Sequence, residues 1–381
     1  MKNYNMEPII SNYLSTKASA KRVPVSGTFE LLPLCNMDCK MCYVKMTKKD
    51  MEPIGRLRTV EEWIEIAKEA KKEGLLFLLL TGGEPFLYKG FKQLYKELKK
   101  MGFLISINTN GTLIDKETAE WLIEDPPTRI NISLYGGSNE TYARLCNNPN
   151  GFTQVTNAIK YLKKSNIPIK LNASVTPYNV DDIEDIFKFA EENELYVQSS
   201  SYMFPPTRRK EELAGMGDRF SYTDAAKARM RIDKIRFDEE VFNKRIVNLK
   251  NGIVEEVEND DFCGKEKGVG EGIKCRAGKC SFWITWDGRM TPCGMMNYPV
   301  THPFNNSFSE SWRELVDKTN EIRTYPGCLS CKFKNTCNTC AAMIQTETGK
   351  FDEKPTYICN MEEEFYKCVL SEYEKNNKGE I

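Results

Sequence analysis

Between residues 27 and 202, six short apolar runs alternate with helix-like stretches, and this alternation limits the fold more than any other feature of the chain. The runs are GTFELLPL (27–34), LLFLLL (75–80), FLISIN (103–108), RINISL (129–134), PIKLNASV (168–175) and LYVQSSS (195–201). The segments between them have the length of crossover helices, so the runs read as parallel strands of repeated βα units. One helix shows the logic. Thr59 and Glu62 form a capping box, Trp63, Ile66, Ala67 and Ala70 line one apolar face, and Gly74 ends the helix. Six units fall short of the eight of a closed barrel, which takes about 250 residues. The fold class expected is α/β, a partial (β/α)6 TIM-like barrel.

The rest of the chain reads differently. Residues 1–26 form an N-terminal arm, 27–205 the barrel, and 206–262 a charged helical linker rich in Lys, Arg, Asp and Glu. Ten cysteines lie between Cys263 and Cys368, flanked by Gly, Pro, Asn and Thr with little hydrophobic periodicity. Residues 263–366 therefore read as a cysteine-rich, cluster-binding domain held by metal more than by a large core, with 367–381 as a tail.

Composition excludes several function classes. Lys and Arg number 54, as do Asp and Glu, and no segment is conspicuously basic, which argues against a nucleic-acid surface. No run approaches a membrane span and the N-terminus has no apolar signal core, so a cytoplasmic protein with no membrane partner is expected. Fourteen cysteines in 381 residues are too sparse for a secreted disulfide scaffold and suit metal ligands or catalytic thiols. The lone histidine, His302, leaves little room for His-based zinc or hydrolase chemistry.

The segment CNMDCKMC places Cys35, Cys39 and Cys42 in a loop just after the first strand, followed by Tyr43. Three thiolates at this spacing can reach three corners of a cube-shaped iron–sulfur cluster, and a cluster held wholly by protein needs four. With no fourth cysteine nearby, one iron stays open to a small molecule; structural zinc would want that fourth ligand.

This spacing resembles the radical S-adenosylmethionine (SAM) superfamily. LLLTGGEPFL (78–87) strengthens the resemblance, because TGGEP follows the second strand, where that family binds SAM. The resemblance implies that SAM chelates the open iron and is cleaved on reduction to a 5′-deoxyadenosyl radical, which abstracts hydrogen from the substrate. Gly82 and Gly83 permit close backbone approach, and Glu84 offers an acceptor for the SAM ammonium. The resemblance further places Asn110 at the SAM ribose, Ser133 at the fourth strand end, and Arg144 as a clamp for the SAM carboxylate.

The C-terminal cysteines resemble the SPASM extension of radical SAM enzymes. CRAGKCSFWITWDGRMTPC supplies Cys275, Cys280 and Cys293, with Gly288 five residues before the last. CLSCKFKNTCNTC supplies Cys328, Cys331, Cys337 and Cys340, and Cys359 follows. One departure is that two residues, not three, separate Cys337 from Cys340. The resemblance implies three 4Fe–4S clusters: one for SAM, one auxiliary cluster on Cys275, Cys280, Cys293 and Cys340, and a second on Cys328, Cys331, Cys337 and Cys359. A pair of zinc ribbons is the bland alternative for the same C-x2-C pairs. Cys146, Cys263 and Cys368 are left without a role.

The resulting expectation is a radical SAM oxidoreductase that modifies a peptide or protein, by cross-linking or epimerisation. Its partners would be that substrate and an electron donor such as flavodoxin or ferredoxin; since few residues precede the first strand, a leader peptide would be recognised elsewhere or by a separate leader-peptide-binding protein, unless the substrate is a folded protein or a small molecule. Two rivals remain: a sulfatase-maturase-like side-chain oxidase, and a non-catalytic zinc or electron-transfer scaffold. In the sulfatase-maturase family an Asp follows the cysteine of the G-x4-C element and acts as base; here Gly294 follows Cys293, and Asp287 more plausibly shapes the Asp287-Gly288 turn. Epimerisation would need an unligated thiol such as Cys146 near SAM. The segment QSSSYMFPPTRR (198–209) is a candidate substrate lining, with Arg208 and Arg209 meeting carboxylates, although a solvated loop is the simpler reading.

Overall fold

The structure is a computed structural model that describes residues 9–206, 216–253 and 272–377. All six expected strands form: β1 (Ser26–Glu30), β2 (Phe77–Thr81), β3 (Leu104–Thr109), β4 (Arg129–Ser133), β5 (Ile169–Ser174) and β6 (Tyr196–Ser200). Each pairs in parallel with the next. Two more strands, β7 (Ser281–Ile284) and β8 (Met290–Thr291), extend the sheet on the other side of β1, giving the order β6-β5-β4-β3-β2-β1-β7-β8. β6 and β8 are its two ends, so the barrel is open.

Helices cover the outer face. Val60–Lys72 carries the expected capping box, Thr59 with Glu62, and buries Trp63, Ile66, Ala67 and Ala70. Trp63 stacks on Phe29 of β1 with ring centroids 4.7 Å apart. Leu78, Leu80, Ile105, Ile107, Ile130 and Ile132 point the same way and join one continuous core with Leu94, Trp121 and Val155 from the helices. Burying a side chain of this size contributes roughly 1.5–3 kcal/mol, so this face holds the barrel together.

The alternate strand positions face the concave side, and there the chemistry is polar: Glu30, Asn108, Asn131, Lys170, Asn172 and Gln198. Asn131 donates through Nδ2 to Asn108 Oδ1 at 2.6 Å, and Lys170 Nζ donates to Gln198 Oε1 at 3.0 Å. These bonds place the side chains of β3–β6 together on the inner face.

Three features depart from the sequence reading of the segments. The N-terminal arm contains a helix, Ile9–Lys21, whose Ala18 packs with Val25 and Cys280. β7 and β8 belong to the cysteine-rich segment yet complete the barrel sheet, because β1 would otherwise leave an edge of unpaired backbone groups. The helix Thr356–Asn377 runs through residue 366, so the C-terminal residues are not a separate tail. It packs on the linker helix Tyr222–Arg236 through Arg229–Glu362 (2.6 Å) and Lys234–Glu372 (2.7 Å).

Candidate active site

The loop after β1 carries Cys35, Cys39 and Cys42 and is clasped from two sides. On one side, Gly83 N–H donates to the Leu32 carbonyl at 2.7 Å and Glu84 N–H to the Leu34 carbonyl at 2.9 Å. A Cβ on Gly82 would stand 2.6 Å from the Leu32 oxygen, and one on Gly83 would stand 2.3 Å from the Leu34 oxygen. The glycine pair thus lets the turn after β2 lie directly against the base of the cysteine loop. On the other side, the N–H groups of Asp38 and Lys40 donate to the carbonyls of Cys146 (2.9 Å) and Leu145 (3.0 Å). Those carbonyls end the helix Asn139–Cys146, where a helix leaves acceptors unused.

Donors are aimed at the sulfurs. Met37 N–H lies 3.4 Å from Cys35 Sγ, Lys45 N–H 3.3 Å from Cys42 Sγ, and Asn110 Nδ2 3.5 Å from Cys35 Sγ. Burial pushes the Cys35 thiol up to about 12, opposed by the Met37 N–H. Cys39 is raised well above its ordinary value by a hydrogen bond with Cys146 and by burial. Cluster binding would therefore have to displace protons from these thiols. Three thiols on one loop, with N–H groups directed at two of the sulfurs, fit a cluster that takes three protein ligands. Tyr43, next in the chain, is half-buried.

The turn and strand ends form a second layer. Glu84 is fully buried, and its carboxylate accepts from Thr109 Oγ1 (2.8 and 2.9 Å), Asn110 N–H (2.8 Å) and Phe86 N–H (3.2 Å). Burial raises it to about 7 against those bonds. Asn110 donates to Asn36 Oδ1 at 2.9 Å and accepts from Thr112 N–H at 2.9 Å, while Asn36 Nδ2 donates to Thr112 Oγ1 at 2.8 Å. Glu84 and Asn110 therefore lock the cysteine loop to the end of β3. Ser133 ends β4, and its carbonyl accepts from the Tyr142 hydroxyl at 3.3 Å. Arg144 turns its guanidinium to the Tyr178 carbonyl (3.1 and 2.7 Å). Cys146 has no exposed surface behind Cys39, an unfavourable place for a thiol that must reach a substrate.

Among the described residues the C-terminal cysteines fall into two groups, with Cys280 and Cys368 apart from both. Cys275, Cys293 and Cys340 pack around one small core with Ile273, Ala277, Met296 and Phe204. Cys328, Cys331 and Cys359 lie near one another, and burial is the first cause that raises Cys328 to about 11. Cys337, pushed up to about 12 by burial, sits beside Glu362, one turn along the helix from Cys359. Cys280, expected beside Cys275 and Cys293, stands apart from the first group. It is fully buried, accepts from Ser19 Oγ at 3.1 Å and packs on Ala18 and Val25. Cys280 stands just before β7 and packs against the N-terminal helix, apart from the core that takes Phe282 and Ile284, whereas Trp283 turns inward to Glu30.

Arg208, Arg209 and Cys263 lie outside the described residues. Earlier in the same segment Gln198 faces the barrel interior, while Tyr202 reaches Glu347 of the cysteine-rich part at 2.7 Å. Sequence reading passed over the inward polar set Glu30, Asn108, Asn131, Lys170, Asn172 and Gln198. A signal was present: parallel strands covered on both faces read as unbroken apolar runs, so polar residues at every second position mark an interior kept for something polar.

Comparison with known proteins bears on the same residues. Residues 29–190 match the Radical SAM superfamily. The AdoMet-dependent heme synthase of Methanosarcina barkeri is 24% identical over 343 residues, 86% of this chain and 94% of that protein. The sporulation killing factor maturation protein SkfB of Bacillus subtilis is 23% identical over 288 residues, 76% of this chain and 64% of SkfB. Among solved structures, Streptococcus suis SuiB bound to S-adenosylmethionine superposes with a TM-score of 0.60 at 19% identity, covering 91% of this chain and 79% of SuiB. Native anSMEcpe with bound AdoMet gives 0.68 at 18% identity, covering 94% and 100%. These low-identity likenesses establish a shared fold, and the superfamily match falls on the strands and loop that carry the three cysteines. Residues 29–190 of this enzyme thus carry a domain that matches the Radical SAM superfamily.

Proposed function

We propose that this enzyme modifies a peptide, by forming a cross-link or inverting a stereocentre. The observation that carries the reading is an adjacency. Gly294, next to Cys293, lies under the ring of Trp283, and Trp283 bonds Glu30, five residues before Cys35 in the chain. The first C-terminal cysteine group thus lies near the end of β1 that leads into the cysteine loop, which favours an oxidative cross-link; inverting a stereocentre is redox-neutral and would need a hydrogen-donating thiol other than the buried Cys146. SkfB, by its name a maturation protein, supports a peptide substrate.

In this reading Cys35, Cys39 and Cys42 hold a 4Fe–4S cluster with one iron left for SAM, which supplies the 5′-deoxyadenosyl radical when reduced. Gly82, Gly83, Glu84 and Asn110 fix the loop at the mouth, and Tyr43, Ser133 and Arg144 border the SAM site. Arg144 would have to leave the Tyr178 carbonyl to meet a carboxylate. Cys328, Cys331, Cys337 and Cys359 hold one auxiliary cluster, and Cys275, Cys293 and Cys340 supply ligands to another. A reduced flavodoxin or ferredoxin delivers electrons. The barrel at 27–205 and the cysteine-rich segment share one sheet and work as a unit.

A second reading, heme synthesis, is favoured by the near-complete overlap with the Methanosarcina relative. One experiment separates the two. The reconstituted enzyme is incubated with SAM and dithionite, once with short precursor peptides encoded beside its gene and once with a heme precursor. Peptide modification predicts a loss of two hydrogens for a cross-link, or one added mass unit in heavy water for epimerisation. Heme absorbance from the second incubation, with unaltered peptides, would replace this reading.

A further inference from the structure

Arg219 stands just before the linker helix Tyr222–Arg236, and its guanidinium meets two helices of the cysteine-rich part at once. Nη1 donates to Glu347 Oε1 at 2.7 Å and Nη2 to Glu347 Oε2 at 3.2 Å. The two side chains of this forked ion pair keep only 11% and 6% of their surface exposed. The same guanidinium lies over Tyr357, with Cζ 3.8 Å from the ring centroid. The Tyr357 hydroxyl donates in turn to the carbonyl of Phe220, the residue after Arg219, at 2.9 Å. Glu347 Oε1 also accepts from the hydroxyl of Tyr202, just past the end of β6, at 2.7 Å.

Each of the two helices carries a cysteine near its start. Cys340 is the N-cap of Ala341–Thr348, and Glu347 lies about 10 Å along that helix. Tyr357 stands in the first turn of Thr356–Asn377, shortly before Cys359. A helix moves as a rod, so the placement of Glu347 carries Cys340 with it, and that of Tyr357 carries Cys359. Cys340 belongs to the first cysteine group and Cys359 to the second. Phe204 ties the first group to the same place. Its ring meets Tyr202 edge-on with centroids 4.9 Å apart and packs on the small core shared by Cys275, Cys293 and Cys340.

A buried ion pair is a poor source of stability, because desolvation offsets most of the attraction and apolar residues of like volume often do as well. What this pair supplies is direction. A planar guanidinium with both prongs engaged and one face stacked is fixed in distance and in plane, which a lysine ammonium on its flexible stem is not. One side chain thus sets the separation of the two cysteine groups.

We propose that Arg219 is a positioning residue that fixes the two auxiliary clusters relative to each other, so that an electron given up by one is taken up by the other. The proposal rests on the reading that both cysteine groups hold 4Fe–4S clusters, and it gives the linker a part in the redox chemistry.

The test uses the full-length enzyme, reconstituted after Cys35, Cys39 and Cys42 are replaced by Ala, so that only auxiliary clusters give a signal. Iron is counted, and electron paramagnetic resonance of the dithionite-reduced protein follows the microwave power at half-saturation. Two neighbouring paramagnets speed each other's relaxation, so this power reports how the clusters are placed. In Arg219→Lys it should change at least twofold with about eight irons retained. Tyr357→Leu keeps the ion pair but removes the stacked ring, and should change it in the same direction. Tyr357→Phe keeps the ring and should match the parent. If Arg219→Lys loses iron, Tyr357→Leu decides by the same measure. Unaltered half-saturation power at full iron overturns the proposal, and a lower thermal midpoint as the only change marks Arg219 as structural alone and overturns it too. Loss of iron from both Arg219→Lys and Tyr357→Leu means that these contacts hold the clusters in the protein, and also overturns it. A parent that takes up no iron in this background sinks the auxiliary-cluster reading, and the proposal with it.

Discussion

Trp283 donates its indole N–H to Glu30 Oε2 at 2.9 Å, joining the cysteine-rich segment to the C-terminal end of β1. The same ring lies where a side chain at position 294 would project: a Cβ there would stand 2.8 Å from three of its atoms. Trp283→Phe keeps an aromatic side chain but removes the indole donor to a buried carboxylate, which should lower stability by about 1–3 kcal/mol. Denaturant unfolding measures this, and an unchanged midpoint would mean that the pair does not bind the two parts together.

The filled space at Gly294 also bears on the reaction. With no side chain after Cys293 and an indole ring over the backbone, no carboxylate can act from this position. Incubation with a sulfatase-type Ser or Cys peptide should yield no aldehyde by mass spectrometry. Formation of formylglycine would show that another carboxylate, Glu30 being the nearest to the ring, serves as the base.

Iron content distinguishes the cysteines. The three 4Fe–4S clusters proposed would give about twelve irons per chain after anaerobic reconstitution. Replacing Cys35, Cys39 and Cys42 together by Ala should remove about four and abolish 5′-deoxyadenosine formation. Cys293→Ala should also lose about four, whereas Cys280→Ala should keep all of about twelve, because its thiol faces Ser19. A loss of iron in Cys280→Ala would return this residue to the ligand set. Zinc in place of the C-terminal iron would restore the zinc-ribbon alternative.

Gly83→Ala probes the clasp on the cysteine loop. The new Cβ would meet the Leu34 carbonyl oxygen at 2.3 Å, and a backbone atom cannot swing aside as a side chain can. The loop must shift, so SAM cleavage should fall at least tenfold while the C-terminal clusters stay loaded. Full activity in this variant would mean that the loop tolerates displacement.

Acid stability follows from Glu62. A hydrogen bond from Arg56 holds its carboxyl down to about 2, aided by the Thr59 N–H and Arg58 and opposed by burial. A carboxylate depressed on folding contributes stability that is present above its ordinary value of 4.5 and is lost as pH falls towards about 2. Glu62→Gln should flatten this part of the acid limb in a thermal-midpoint series at low salt. The effect is small, because the group is partly exposed and salt screens it. An acid limb identical to that of the wild-type protein would place the acid-sensitive pairs elsewhere.

Local pattern determined much of this protein. Six largely apolar runs marked six strands because alternate residues of each bury one face against the helices, and Thr59 with Glu62 marked a helix start because a capping box uses only neighbouring backbone groups. The three-cysteine loop was equally legible, since its cysteines sit within eight residues. What spacing could not reveal was direction. Cys280 and Cys293 look alike in the sequence, yet Cys280 packs against the N-terminal helix while Cys293 joins the small cysteine-lined core. Arg144 reads as a ligand clamp until the fold brings the Tyr178 carbonyl to it. The inward carboxamides gain meaning only when four strands from distant parts of the chain align in register. The sequence by itself determines which residues can hold a cluster or line a strand. Tertiary structure alone decides which face each side chain takes and what it meets there, because those contacts join residues that no local interaction links.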